Sequence, residues 1–202
     1  MKGRALGAMF FNRPTLTVAR ELLGKFLVRR YPPTRKRSGL RHEVVGGTTE
    51  AFMITETEAY DGFTDRGSHA HRGRTKRNEV MFGGPSHWYV YFVYGAHWML
   101  NVTTREAGYP AAVLIRGTCP PKFRGAKLGR AKELSGPGRL TKYMHIDRRF
   151  NGQPLSKKTG LWIENRGVRV SERQVQRLPR VGIDYAGVYW ANKRWRFVAK
   201  DS

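Results

Sequence analysis

The sequence predicts an α+β protein, a single compact domain over residues 1–202 built on a mainly antiparallel sheet. Three observations predict it. Short stretches of apolar–polar alternation recur along the 202 residues, separated by glycine and proline turns. Helical spacing is confined to two regions, and strands do not alternate with helices as a parallel α/β sheet requires. An apolar content of 40% suffices for one buried core at this length, and no repeat, low-complexity tract or composition break divides the chain.

The elements follow in order. In "TLTVARELLG", Thr15 or Thr17 is a candidate cap, Leu16, Ala19, Leu22 and Leu23 form the apolar stripe, and Gly24 is the stop. "KFLVRRY" follows as a strand, "PPTRKRSGLRH" as a basic connection and "VVGGTTE" as a turn. "AFMITETEAY" is the next strand. Strict alternation puts Phe52, Ile54, Glu56 and Glu58 on one face, and acids on an apolar face suit a strand that ends in a cleft. A polar loop rich in His and Arg (61–79) leads to "YVYFVYG". There Tyr89 and Tyr91 share one face, Val90, Phe92 and Tyr94 the other, and Gly95 turns the chain. "AAVLIRG" reads as a buried strand ending in Arg116. The stretch from Lys122 to Lys142 reads as a basic loop and helix broken by "GPG". "GLWIENR", "RVGIDYAG" and "RWRFVA" are short strands.

Charge narrows the partners. Thirty-eight Lys and Arg against fifteen Asp and Glu give +23, an excess that points to a polyanion. Nucleic acid leads and an acidic membrane surface follows, since no amphipathic basic helix or lipidation signal favours the membrane. No run is long enough to span a bilayer and the N-terminus lacks a signal-peptide core. Cys119 is the single cysteine, which excludes an intrachain disulfide or a thiolate cluster. The expectation is an intracellular protein, in cytoplasm or nucleoid if bacterial and in the nucleus if eukaryotic. Residues 51–100 hold five of the basic residues but also Glu56, Glu58, Asp61, Asp65 and Glu79, a third of the acids. Such a concentration either solvates a loop or does chemistry.

The ordered series "ETEAYDGFTDRGSHAHRGRTKRNEVMF", "YVYFVYGAHWMLNV", "AVLIRG", "LSGPGRLTK" and "RVGIDYAG" resembles the alkyladenine (3-methyladenine) DNA glycosylases, the type also found in vertebrates. With "FFNRPTLTVARELLGKFLV" it covers most of residues 5–198. The resemblance implies a curved sheet with flanking helices and a protruding β-hairpin that meets DNA. It also implies a monomer acting on double-stranded DNA with damaged purines, and no cofactor. A glycosylase must extrude its nucleotide, at a cost of a few kcal/mol of unstacking. It needs a basic surface, a wedge, an aromatic pocket and a carboxylate near C1′.

Within the resemblance, Glu58 is the catalytic carboxylate, since oxocarbenium character on the sugar is stabilised by a nearby anion that can also deprotonate water. Arg116 and the backbone at Val181 help hold that water, and Glu56 supports. On position alone Glu58 reads as an ordinary strand acid. Tyr60, His69 and Tyr91 match the pocket walls, where π faces favour a cationic alkylated purine. Asn101 matches the pocket floor, against the exocyclic amine of guanine; an amide bonded inside a sheet is equally compatible. Tyr94 matches the wedge and otherwise reads as core, and Tyr89 and Phe92 read as core. Arg74, Lys76, Arg77 and Arg139 are candidate phosphate contacts. His69 and His71 could chelate a metal, but no third ligand is fixed by spacing, so none is expected. No lysine or proline sits where the motif would make an amine nucleophile, so water is the expected nucleophile, without a lyase step. A non-catalytic nucleic-acid-binding module and a metal-dependent nuclease are the alternatives.

The sequence departs from the family at Gly67-Ser68, where Ala-Ala is common, which predicts looser base selection. Val188 and Arg194 replace an acid and a proline, and "YMHID" leaves Tyr143 and His145 without a matched role.

Overall fold

In the computed structural model, which describes residues 3–32, 47–119 and 134–200, the strands of the described residues join one antiparallel sheet. In chain order they are β1 (Arg4–Ala5), β2 (Phe26–Arg30), β3 (Thr49–Asp61), β4 (Trp88–Val93), β5 (His97–Thr103), β6 (Ala111–Cys119), β7 (Leu161–Asn165), β8 (Val175–Leu178) and β9 (Arg196–Ala199). The order across the sheet is β1-β7-β2-β3-β6-β5-β4, with β9 pairing both β3 and β8. Helices α1 (Ala8–Phe11), α2 (Thr15–Glu21), α3 (Pro137–Tyr143) and α4 (Val188–Ala191) flank it. The α+β class is as the pattern predicts. No helix among the described residues is long and apolar enough to cross a membrane. Most of the connection "PPTRKRSGLRH" and the basic run Lys122 to Glu133 lie outside the described residues.

The core forms where α2 lays Val18 and Ala19 against Ile54, Ala59 and Ile115, all fully buried. Burying one such aliphatic side chain is worth roughly 1.5–3 kcal/mol. Neither threonine caps α2. Pro14 is the N-cap residue, and Thr15, already inside the first turn, donates to Asp61 Oδ1 at 2.6 Å and accepts from Thr104 Oγ1 at 3.1 Å. The helix ends short of the expected stop, at Glu21 with Leu22 as its C-cap residue, and Gly24, at φ +81°, makes the turn into β2.

Strict alternation along β3 fails, and the failure builds the site. The β3–β6 register steps from Ile54↔Thr118 to Glu56↔Gly117 and then to Thr57↔Ile115, leaving Thr55 and Arg116 without an opposite residue. A bulge reverses the faces of the strand beyond it. Phe52 and Ile54 face the core before the bulge, Thr57 and Ala59 face it afterwards, and the Thr57 hydroxyl donates to Ala19 O at 2.8 Å. Glu56, Glu58 and Tyr60 therefore leave the face of Phe52 and Ile54. The extra residue on β6 is Arg116, which turns to Glu56 at 3.1 Å.

Three other expectations change. "GPG" opens a helix rather than breaking one: Gly136, at φ +94°, precedes Pro137 at the first position of α3, where the missing N–H costs nothing. "RVGIDYAG" is an irregular segment with one 3₁₀ turn, Asp184–Ala186, while the strand nearby is β8. Phe92 is not core but 44% exposed.

Candidate active site

The side chains that β3, β4, β5 and β6 turn away from the core enclose, with the segments 67–69 and 181–185, a cavity of about 520 Å³. Tyr60, His69, Tyr91, Asn101, Arg116 and Val181 all line it. Tyr94 and Arg77 line it as well, so eight of the expected site residues meet in one place.

Glu58 lies behind that wall, fully buried. Its Oε1 accepts the Val181 backbone N–H at 2.8 Å and faces Arg116 Nε at 3.4 Å; its Oε2 accepts the Tyr60 hydroxyl at 2.8 Å. These three partners all belong to the cavity wall. Burial raises the Glu58 carboxyl above its ordinary range, against the pull of Arg116, the Val181 N–H and the Tyr60 hydroxyl. Glu56 is held differently, by Arg116 Nε at 3.1 Å and Arg196 Nη1 at 3.0 Å. One acid is thus braced by two guanidinium groups, while the other is held by a backbone N–H, a hydroxyl and one guanidinium.

His69 and Tyr91 touch edge to face, with ring centroids 4.6 Å apart, and form one wall together. His69 Nδ1 is 3.0 Å from the Tyr89 hydroxyl. Burial, and then the charge of Arg77, lower the His69 pKa to about 4, so the imidazole is neutral near pH 7. Tyr89 is buried as expected but also lines the cavity. Tyr60 presents one face to the Arg180 guanidinium, 4.8 Å from its centroid. Asn101 lines the cavity, and its Nδ2 donates to Tyr89 O at 3.1 Å.

Tyr94 stands at the β4–β5 turn, 86% exposed. The Ala96 N–H closes the turn on Val93 O at 3.1 Å, with Tyr94 at φ +52° and Gly95 at φ +62°. Positive φ at both central residues is the hairpin-turn pattern, which glycine tolerates and tyrosine does not favour. Of the basic candidates, Arg77 reaches the cavity, donating to Phe92 O at 3.0 Å with its guanidinium 5.4 Å from the Tyr91 ring. Arg74, Lys76 and Arg139 are exposed and do not line it. His71 is exposed, its Nδ1 2.9 Å from Phe63 O, and no group of three or more His, Cys, Asp or Glu among the described residues is arranged to hold a metal.

Sequence reasoning missed the brace behind the site. Arg180 and Asp65, both fully buried, pair through two bonds of 2.5 and 2.7 Å, and Arg180 Nη1 also donates to Ala59 O at 3.0 Å. Arg180 stacks between Tyr60 and Trp195 and immediately precedes the Val181 N–H that Glu58 accepts. Both residues lie in quoted motifs, but no local pattern couples positions 115 apart. The brace also accounts for Gly67. A Cβ there would lie 2.8 Å from Arg180 Nη2, so glycine makes room for the guanidinium. Ser68 accepts the Ala70 N–H and caps the turn that carries His69. Val188 is exposed, and Tyr143 and His145 pack on Phe52 and Tyr31; none of the three lines the cavity, nor does Arg194.

On an α+β chain of net charge +23, an aromatic cavity backs onto a buried carboxylate, an arrangement suited to chemistry on a nucleic acid. A family model described as "Methylpurine-DNA glycosylase (MPG)" matches residues 9–202. Relatives named "Putative 3-methyladenine DNA glycosylase" include one from Methanocella arvoryzae, 42% identical over 96% of this chain and 91% of its own. Another, from Desulfitobacterium hafniense, is 39% identical over 98% and 97%, and one from Carboxydothermus hydrogenoformans is 42% identical over 89% and 88%. The chain belongs to the methylpurine-DNA glycosylase family, and is accordingly a DNA-repair hydrolase acting on DNA.

Proposed function

We propose that this protein is a monomeric, monofunctional glycosylase that extrudes a damaged purine from duplex DNA and hydrolyses its N-glycosidic bond with water activated by Glu58. The observation that carries this reading is the Glu58 carboxylate, buried at the back of an aromatic cavity and held by Val181 N–H, Tyr60 and Arg116. The purine enters between Tyr60 and the His69–Tyr91 pair. Neutral His69 adds no charge against a cationic ring, and Tyr91 offers it a π face. Asn101 at the floor excludes the exocyclic amine of guanine. Tyr94 at the exposed turn fills the gap left in the stack, while Arg74, Lys76, Arg77 and Arg139 meet phosphates.

As the bond to the base lengthens, positive charge grows at C1′ and the ionised carboxylate stabilises it. Water then attacks C1′ and its proton passes to Glu58; the electron pair of the broken bond leaves on the purine nitrogen. Glu58 has no solvent exposure in this geometry. Admitting the water therefore requires Arg116 or the Val181 segment to shift at the cavity wall. The substrates expected are 3-methyladenine, 7-methylguanine, hypoxanthine and ethenoadenine.

The experiment incubates duplexes carrying one such lesion with the protein and opens abasic sites with alkali. Strand cuts that appear only after alkali, survive a chelator and vanish in Glu58→Gln support the reading. Cuts that form without alkali and need a metal would support a nuclease instead.

A further inference from the structure

A second recess lies apart from the aromatic cavity, beside β2 and the 149–160 segment, and no acidic residue lines it among the described residues. Its inner wall is Arg29, only 6% exposed. Arg29 Nε donates to Met144 O at 3.1 Å, and Nη1 to Arg30 O at 3.0 Å and Gly160 O at 3.2 Å. The guanidinium carbon stands 5.1 Å from the Tyr31 ring centroid and 4.7 Å from that of Phe150, so the plane is fixed.

This cation is incompletely matched. Among the described residues, Nη2 has no hydrogen-bond acceptor and no carboxylate lies within ion-pair distance of Arg29. The acids nearby are engaged elsewhere: Asp147 by Arg149 at 2.8 Å, Glu50 by the Tyr31 hydroxyl at 3.0 Å. A buried charge whose neighbouring described acids are paired elsewhere is expensive. Its burial accordingly depresses the guanidinium pKa. The rim adds exposed Arg30, Arg149 and Lys158 and the amide of Gln153. Gly160, at φ +76°, permits the close approach: a Cβ there would lie 3.0 Å from Arg30 O and 3.2 Å from Arg29 Nη1.

We propose that this recess is a phosphate subsite, in which an oxyanion occupies the free Nη2 edge of Arg29 while Arg30 and Lys158 close on it from the rim. Arg is suited to this because its planar fork meets phosphate oxygens with fixed geometry. The phosphate is either inorganic or part of a DNA backbone. Helix α3 connects the two sites, since Pro137 lines the aromatic cavity and Met144, at the other end, holds Arg29. A seven-residue helix spans roughly 10 Å.

The test uses the full chain, the double variant Arg30→Ala/Lys158→Ala, and a control pair of exposed cations outside the recess, Arg148→Ala/Lys157→Ala. Two readouts are taken: the melting temperature in inorganic phosphate against chloride at matched ionic strength, and the salt dependence of affinity for a lesion duplex. A phosphate-induced rise in melting temperature that the recess variant loses and the control keeps supports the subsite with free phosphate as ligand. A log–log salt slope reduced by about 1–2 in the recess variant only supports it with DNA phosphate as ligand. If the recess variant matches the control in both readouts, the subsite does not exist. Arg29→Lys, which keeps the charge and loses the fork, should weaken whichever response is seen.

Discussion

At the scale of the residue, Glu58 and His69 are both held away from their ordinary protonation behaviour, in opposite directions. The Glu58 carboxyl titrates higher when folded than when unfolded, because burial disfavours its charge. Its stabilising contribution is therefore complete below the unfolded pKa and is lost as pH rises through the folded one. Glu58→Gln should accordingly melt at or above the wild-type temperature near neutral pH, with that advantage shrinking in acid, although excision is lost. Thermal melts across pH check this, and a variant melting well below wild type at neutral pH would contradict it. His69 is depressed to about 4, so its neutral ring stabilises the fold above the unfolded value of 6.5 and ceases to as pH falls toward 4. An NMR titration should give a midpoint near 4, and a midpoint near 6.5 would show an open, solvated site. The Asp65–Arg180 pair is the remaining residue-scale device. Asp65→Asn leaves a buried guanidinium without its counter-charge, and about 3–5 kcal/mol of stability should be lost in denaturant unfolding. Recovery of wild-type stability would mean that Arg180 finds another partner.

At the scale of the element, the hairpin and the bulged strand set what the sequence could disclose. Strand β4 and the turn after it were legible because tyrosine alternation and a glycine are local signals, whereas the hairpin followed only from the resemblance. Its wedge candidate, Tyr94, sits at φ +52°, a conformation that costs tyrosine of order 1 kcal/mol. Tyr94→Asn should therefore raise hairpin stability by a few tenths to about 1 kcal/mol while lowering excision from duplex more than from single-stranded DNA. Equal losses on both substrates would remove the wedge role. β3 was legible as a strand, but its faces were not. Periodicity places Glu56 and Glu58 with Phe52 and Ile54, whereas the bulge at Thr55 turns them away from that face. A bulge depends on the partner strand's register with Arg116, some 60 residues distant, which no window along the chain contains. The motif singled out Glu58 as a candidate, and periodicity misread its face. "GPG" shows the same limit, since proline marks a helix start as readily as a break, and only the packing of α3 decides between them.

At the scale of the whole molecule, the sheet divides labour between its faces. One face buries α2 and the core, and the other gathers Tyr60, Tyr91, Asn101 and Arg116 from four strands around one cavity. Fold class was legible from the recurring short alternations, and eight of the residues that line the cavity were legible because the sequence carries the motifs in order. The Asp65–Arg180 brace and the Arg29 recess were not, because each joins residues more than 100 positions apart. The net charge of +23 makes salt-sensitive DNA binding expected with or without catalysis, so affinity alone cannot test the mechanism. The most direct measurement is single-turnover release of hypoxanthine from a duplex, in chelator, by wild type and by Glu58→Gln that still binds an abasic duplex. Wild type should release the base and the variant none detectable, and equal release by both would contradict a Glu58-activated water.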